Sequence, residues 1–597
     1  MTSETKQCQN CQQNFTIEPE DFEFYDKIKV PAPTFCPECR MKRRMIWRNE
    51  RSLYKRKCDA TSKDIISIYS PDKQLKVYDQ KYWWSDEWDF AVYGKNYYFK
   101  KPFFYQLKEL YKEVPQNNLM AENNINSDYV NFQTNSKDCY LVSGGYSNEN
   151  VLYANHGDLS KDSRDLYFFT RMELSYEDVI CQNSYKLVFS QNCDNCSDSL
   201  FLYDCRNCLN CFSCIGLRNK QHYIFNKPYS KEEYKKKLEE FNIGSFQELI
   251  KQKELFEKIK LNYPRKFINA SKSVDISGDN ILDAKNCKLA FDVLPGGSEN
   301  VKFVFWSGAE MKDVYDGTGI GVKGELLYEG VSVALSNAKI LFSITTRNCH
   351  DIQYSINCHS SSDLFGCIGL KKKQYCILNK QYTKEEYEQL VPKIIEHMNN
   401  MPYIDKKGRV YKYGEFFPPE LSPFSYNETI AQEYFPLTKE QAEQQGYSWK
   451  DPEERNIAIT IKSEDLPDHI KDITDDILKQ VIGCEHQGTC NEQCTTAFKI
   501  IPQELEFYKK MNLPLPRLCP NCRHYQRIKQ RNPLKLWHRQ CQCQGQTGNN
   551  SNNPNIYQNT IAHTHGTEPC PNEFETTYSP DRKEIVYCEQ CYQQEVA

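Results

Sequence analysis

One cysteine motif occurs twice in this chain, near opposite ends, and it limits the architecture more than any other feature. Cys36-Pro37-Glu38-Cys39 is repeated as Cys519-Pro520-Asn521-Cys522. The upstream phrase is repeated too: Phe15-Thr16-Ile17-Glu18 through Phe24-Tyr25 at one end, and Phe498-Lys499-Ile500-Ile501 through Phe507-Tyr508 at the other. Cys8-x-x-Cys11 completes the first set, giving two knuckles of two thiolates each. That pattern suits a closed, tetrahedral, structural Zn²⁺ site with no open position for water. The second set reads as Cys490, Cys494, Cys519 and Cys522, with Cys484 and His486 just upstream.

The same duplication extends past each motif. Leu53-Tyr54-Lys55-Arg56-Lys57-Cys58 matches Leu536-Trp537-His538-Arg539-Gln540-Cys541, and Tyr69-Ser70-Pro71-Asp72 matches Tyr578-Ser579-Pro580-Asp581. In that register Asp79 stands opposite Cys588, Tyr82 opposite Cys591 and Thr61 opposite Cys570. The early copy keeps only Cys58, so no metal is expected there, and Trp83, Trp84 and Trp88 are expected to supply a core instead. The late copy is complete. It predicts a third zinc from Cys541 or Cys543 with Cys570, Cys588 and Cys591, with His563 and His565 as fallback ligands. About three Zn²⁺ per chain follow.

A dense basic tract comes directly after each motif: Arg40, Lys42, Arg43, Arg44 and Arg48 after the first, and Arg523, Arg527, Lys529 and Arg531 after the second. With Trp47, Tyr54 and Trp537 interleaved, these residues are candidate contacts to nucleic acid or a ribonucleoprotein, where each neutralised phosphate adds salt-dependent affinity. A solvated helix face is the competing account. The chain as a whole gives no field to help, since 76 basic and 80 acidic residues leave a formal charge of −4.

Between about Asn123 and Lys380 the sequence changes character. Short apolar runs such as Cys139-Tyr-Leu-Val142, Val151-Leu-Tyr-Ala154 and Leu166-Tyr-Phe-Phe169 are separated by Asn, Asp, Ser and Gly. Many short strands without hairpin dipeptides favour a parallel β-helix over a sandwich, with Cys, Leu, Val and Phe stacked inside and Asn and Ser at the turns. Cys193, Cys196, Cys205, Cys208, Cys211 and Cys214 then read as small core residues, with a metal cluster as the alternative. Cys214-Ile-Gly-Leu217 through Tyr234 recurs as Cys367-Ile-Gly-Leu370 through Tyr387 at a constant offset of 153, so the β-helix is itself duplicated.

The expected fold is mainly β: a duplicated parallel β-helix flanked at both termini by small treble-clef or zinc-ribbon modules, with helical insertions. The expected segments are a first zinc module with its basic tract (1–57), a degenerate module and connector (58–120), a first β-helix half (121–227), and a helical insertion (228–264). A second β-helix half (265–380), a helix with a Pro and aromatic-rich arm (381–483), and second and third zinc modules (484–540 and 541–597) complete the chain. Ser230 and Thr383 sit where helix N-caps belong, and one long helix is expected from Lys231 to Leu261. Gln544 to Asn559 reads as an unstructured low-complexity insert.

The pattern Cys-x-x-Cys, Phe, Glu-x-x-Phe-Tyr, then Pro-x-x-Cys-Pro-x-Cys-Arg, carried by Cys8 to Arg44 and Cys490 to Arg527, resembles a probable zinc-ribbon or treble-clef domain family of bacteria. Together with Tyr413-Gly414-Glu415-Phe416-Phe417-Pro418-Pro419, the whole arrangement resembles uncharacterised zinc-ribbon proteins of candidate-phylum bacteria. The resemblance implies zinc binding and brings no activity with it.

Several function classes are disfavoured. No Walker loop, dinucleotide fingerprint, H-E-x-x-H or nucleophile elbow is present. No long apolar run or apolar leader appears, so a cytoplasmic protein without a membrane span is expected. A non-enzymatic binding or scaffold protein is the leading expectation, with a homo-oligomer as a further partner class. The alternatives are a self-assembling structural protein or a carbohydrate-acting β-helix enzyme, for which Asp292, His350, Asp351 and His359 are the candidates.

Overall fold

A computed structural model of the chain describes residues 2–452, 457–545 and 557–596. The central part of the low-complexity insert, 546–556, lies outside the described residues. The protein is mainly β, with two parallel β-solenoid sheets of ten and thirteen strands. Among the described residues no helix is long and apolar enough to cross a membrane.

The chain divides into two compact units that cross its sequence order. One unit combines residues 1–119 with 268–451, so the N-terminal module packs with the second solenoid half. The other combines 120–267 with 452–533 and 537–597, so the C-terminal modules pack with the first half.

The first solenoid half has a strict twelve-residue coil. Parallel partners are twelve apart throughout, as in Tyr167↔Val179, Tyr185↔Ser197 and Leu209↔Gln221. From Asn123 to Phe225 every third residue has a positive φ near 50–60°, apart from glycines at 144 and 216. Each coil is therefore a four-sided figure with three-residue sides and a left-handed corner at each vertex. Asn and Asp, which tolerate that conformation best, occupy many corners. Asn195 and Asn207 also join successive coils by side-chain hydrogen bonds of 2.7 and 2.9 Å to the next corner.

The residue after each corner points inward. Inward serines do more there than the turn-capping expected of them. Ser175 donates to Glu173 O (3.0 Å) and accepts from the Leu187 amide one coil on (3.3 Å). Ser190 does the same with Val188 O and the Leu202 amide. Each hydroxyl satisfies a buried backbone N–H that the coil geometry leaves without a carbonyl partner. Cys193, Cys196, Cys205, Cys208, Cys211 and Cys214 fall on the same inward positions, all at most 2 % exposed. Their thiols contact backbone carbonyls two residues back, as Cys193 does with Gln191 O (3.3 Å). Burial pushes the inward thiols Cys139, Cys287 and Cys376 up to about 11, so these are neutral core groups.

The second half widens by one residue where its partners are thirteen apart, as in Met311↔Gly324 and Leu327↔Ile340. One side of the coil has four residues there, between the corners Trp306 and Glu310, Gly319 and Lys323, and Ser332 and Ser336. Both halves end alike. Asn226 and Asn379, each in the left-handed region, pair with both backbone groups of Ile215 and Ile368 respectively. An antiparallel two-residue strand then closes each edge, and a helix follows with a full capping box at Ser230/Glu233 or Thr383/Glu386. The closure protects a strand edge that would otherwise recruit other chains. The insertion after the first closure is two helices, Lys231–Leu238 and Phe246–Lys260, rather than one. Asn242-Ile-Gly244-Ser245 breaks it, and Ser245 caps the second helix by accepting from the Glu248 amide.

Candidate metal centres

In the N-terminal ribbon a hairpin, Glu4–Gln7 with Asn14–Ile17, carries Cys8 and Cys11, and helix Pro37–Met45 begins on Cys36 and carries Cys39. Proline at the first helical position aligns the turn that presents both thiols. The four sulfurs lie within 4.8 Å of one another. Cys11 and Cys36 are 3.7 Å apart. A tetrahedron with metal–sulfur bonds of about 2.3 Å has edges of about 3.8 Å, whereas a disulfide would bring two sulfurs to about 2.05 Å. The arrangement fits a metal, and all 28 cysteines are unpaired.

In the second ribbon Cys484 converges with Cys494, Cys519 and Cys522, while Cys490, its Sγ 3.7 Å from Cys522, falls in a neighbouring group with His486 and Glu492. Cys484 Sγ lies 3.9 Å from Cys522 and accepts the Cys519 amide at 3.2 Å. Nine residues separate the two thiols of this knuckle instead of two. The strand pair Ile482–Gly483 with Ala497–Phe498 fixes the register, so Cys484 occupies the place of Cys8, which spacing alone left open.

In the third ribbon Cys541 takes the first position, with Cys570, Cys588 and Cys591, all buried. Cys543 stands apart from that set. Neighbouring thiols, Cys541 foremost, hold Cys588 down to about 4, and Cys8 and Cys519 fall well below the usual thiol range through Cys36 and Cys484.

The degenerate copy keeps the geometry without the ligands. The Asp79 amide donates to Cys58 Sγ at 3.2 Å, as the Cys588 amide does to Cys541. The core around Cys58 is Ile65, Ile68, Tyr69, Val77 and Phe424, not the tryptophans expected there. Trp83 and Trp84 pack instead against His359 of the solenoid. Among the described residues no group of three or more metal-ligating side chains converges at Cys58 or within the Cys193 to Cys214 series.

The basic tracts are where the structure departs furthest from the sequence reading. Arg40, Arg43, Arg44 and Arg48 are at most 2 % exposed, as are Arg523 and Arg527, so they do not form an exposed patch for nucleic acid. In the first unit Arg40 Nε and Arg44 Nη1 both donate to Asp316 Oδ1 (2.9 and 2.8 Å), and Arg44 Nη2 donates to Phe303 O (3.1 Å). Asp316 and Phe303 are solenoid corners one coil apart. Arg43 bridges Glu329 (2.7 Å) and Glu415 (2.8 Å). Glu415 lies in the Pro-rich arm and also accepts from the Thr34 amide and hydroxyl. Arg48 pairs with Glu50. Lys42 pairs with Glu38 on its own helix, Lys529 pairs with Glu492, and Arg531 donates to Tyr167 Oη. Burial raises the pKa of Glu329, against the pull of Arg43 and Arg44.

The enzyme candidates do not form a constellation. Asp292 is fully buried and accepts from Asn280, and His359 is buried and pushed down to about 3 by desolvation. His350 and Asp351 are a solvent-facing pair 3.2 Å apart. Comparison with family models, with curated proteins and with solved structures finds no match to this chain, so the reading rests on its own geometry.

Proposed function

We propose that this is a non-enzymatic, zinc-stapled scaffold, in which zinc folds each terminal ribbon and the ribbon's arginine helix clamps a solenoid half. Sulfur-rich tetrahedral sites with every position filled by protein suit Zn²⁺ and leave no place for a substrate. The observation that carries the reading is the pair Arg40 and Arg44 on Asp316, at 2.9 and 2.8 Å with all three side chains at most 2 % exposed. Arginines engaged in this way are intramolecular fasteners, and the rigid coil faces are the platform offered to a partner. The test compares the intact chain with Arg40→Ala and Arg523→Ala for thermal stability and for binding to mixed RNA and DNA at low salt. Both variants are expected to lose stability, with polynucleotide affinity unchanged. Loss of polynucleotide binding with stability intact would return the tracts to a nucleic-acid role.

A further inference from the structure

The third ribbon brings together more ligand atoms than one ion needs. Beside the Cys541, Cys570, Cys588 and Cys591 set lies a second convergent group, Cys543, His563, His565 and Cys591, and Cys591 belongs to both. Cys543 Sγ lies 3.1 Å from His563 Nδ1 and 3.3 Å from His565 Nε2, and Cys591 Sγ lies 3.4 Å from the same His565 nitrogen. From these juxtaposed tetrahedra we infer that the ribbon holds two metal ions joined through the Cys591 thiolate.

The surroundings are built for the second ion. Each histidine uses its other nitrogen on an orienting partner: His563 Nε2 on Glu595 Oε1 (2.9 Å) and His565 Nδ1 on Glu568 O (2.7 Å). Such outer partners fix which nitrogen is free to ligate. Glu595 lies one helical turn from Cys591 on helix Glu589–Val596 and is itself held by Tyr557 and Thr560. The His563 and Glu595 side chains are 0 % and 1 % exposed. Asn559 donates to Cys543 Sγ at 3.1 Å, as expected of a group facing a thiolate. The ligand count argues the same way: the two sets together hold five cysteines and two histidines with one cysteine shared, enough for two four-coordinate ions.

The second ribbon repeats the placement. There Cys522 is shared with a group formed by His486, Cys490 and Glu492, and His486, like Cys543, stands two residues after the first ligand. In the first ribbon that position is Asn10, which donates to Cys39 Sγ at 3.2 Å.

This inference rests on the zinc reading above, and the experiment separates the two. Native mass spectrometry of the zinc-loaded intact chain and of the double variant His563→Ala/His565→Ala should show one ion fewer in the variant. In the ¹¹³Cd-substituted intact chain, two resonances that change in the variant should be split by mutual coupling through the shared sulfur. An unchanged ion count, or two resonances without coupling, overturns the bridge and leaves the single-zinc ribbons standing. A chain that takes up no metal overturns both. If the variant sheds both ions by unfolding, the coupling in the unaltered chain decides.

Discussion

The two places where a ribbon meets its solenoid are the same device made from residues far apart in sequence. Arg523 and Arg527 follow Cys522 as Arg40 and Arg44 follow Cys39, and both donate to Asp165 Oδ1 (3.1 and 2.7 Å). Arg527 Nη2 reaches Tyr153 O at 3.0 Å, as Arg44 reaches Phe303 O. Arg523 lies over the Tyr153 ring at 4.6 Å and Arg40 over the Phe303 ring at 4.9 Å. Asp165 and Asp316 are both left-handed corners, twelve and thirteen residues after their aromatic partners. The difference lies in what surrounds the shared core. The first dock adds Arg43 with Glu329 and Glu415, whereas Gln526 stands in place of Arg43 in the second. There Glu504 instead pairs with Arg523 (3.3 Å) and accepts from Tyr508 and Tyr153. A corner carboxylate read by arginines one helical turn apart is thus the conserved grammar within this molecule, and the supporting carboxylates vary.

That equivalence can be broken most decisively by removing metal. On the zinc reading proposed above, most of each ribbon's folding free energy, on the order of 10–16 kcal/mol, comes from the ion. Hydrogen exchange with a strong chelator should abolish protection over 8–44 and 484–528 alike, while 130–225 and 270–380 stay protected by coil stacking. Release of one ribbon alone would show that the docks are not equivalent. Loss of the solenoid would show that its cysteines ligate.

The next largest effect tests the likeness of the docks. Asp165→Ala takes the carboxylate from Arg527 while Arg523 keeps Glu504, and Asp316→Ala takes it from Arg40 while Arg44 keeps Glu329 at 3.1 Å. Each should destabilise its own unit by about 3–5 kcal/mol. Denaturant titration followed by region-resolved exchange checks this, and a large loss in one unit with none in the other would refute the shared role. Glu415→Gln probes what is particular to the first dock. It weakens the bond from Arg43 and should cost roughly 1.5–3 kcal/mol, the scale of a hydrogen bond to a charged group, in that unit only. The smallest expected change concerns the matched closures. Ser230→Ala and Thr383→Ala each remove an N-cap and should cost about 1 kcal/mol, measured as equal local losses of protection in the two following helices.

Some of this was legible because the signal is local. Cys36 to Cys39, Cys519 to Cys522 and the offset of 153 identify ribbons and a repeated closure without reference to anything distant. The role of Cys484 was left open because a knuckle is defined by hairpin register, and a spacing seven residues longer than that of Cys8 and Cys11 hides it. The coil was recognised as a solenoid but not as a three-residue, twelve-residue lattice. Its sign was present: Cys193, Cys196, Cys205 and Cys208 are three and twelve apart, and Ser175, Ser184, Ser190 and Ser199 share the same phase.

The sequence by itself determined the paired cysteines, the strand-rich middle and the duplication, since each is carried by short local motifs that can be recognised, and matched to their repeats, without knowing what they touch. Only the tertiary structure decided the fate of the arginines. A basic helix carries the same charge whether it faces phosphate or a buried aspartate, and Asp316 lies 276 residues from Arg40. Which carboxylate desolvates against which guanidinium is set by how the ribbon seats on the coil, and nothing local to either residue encodes it.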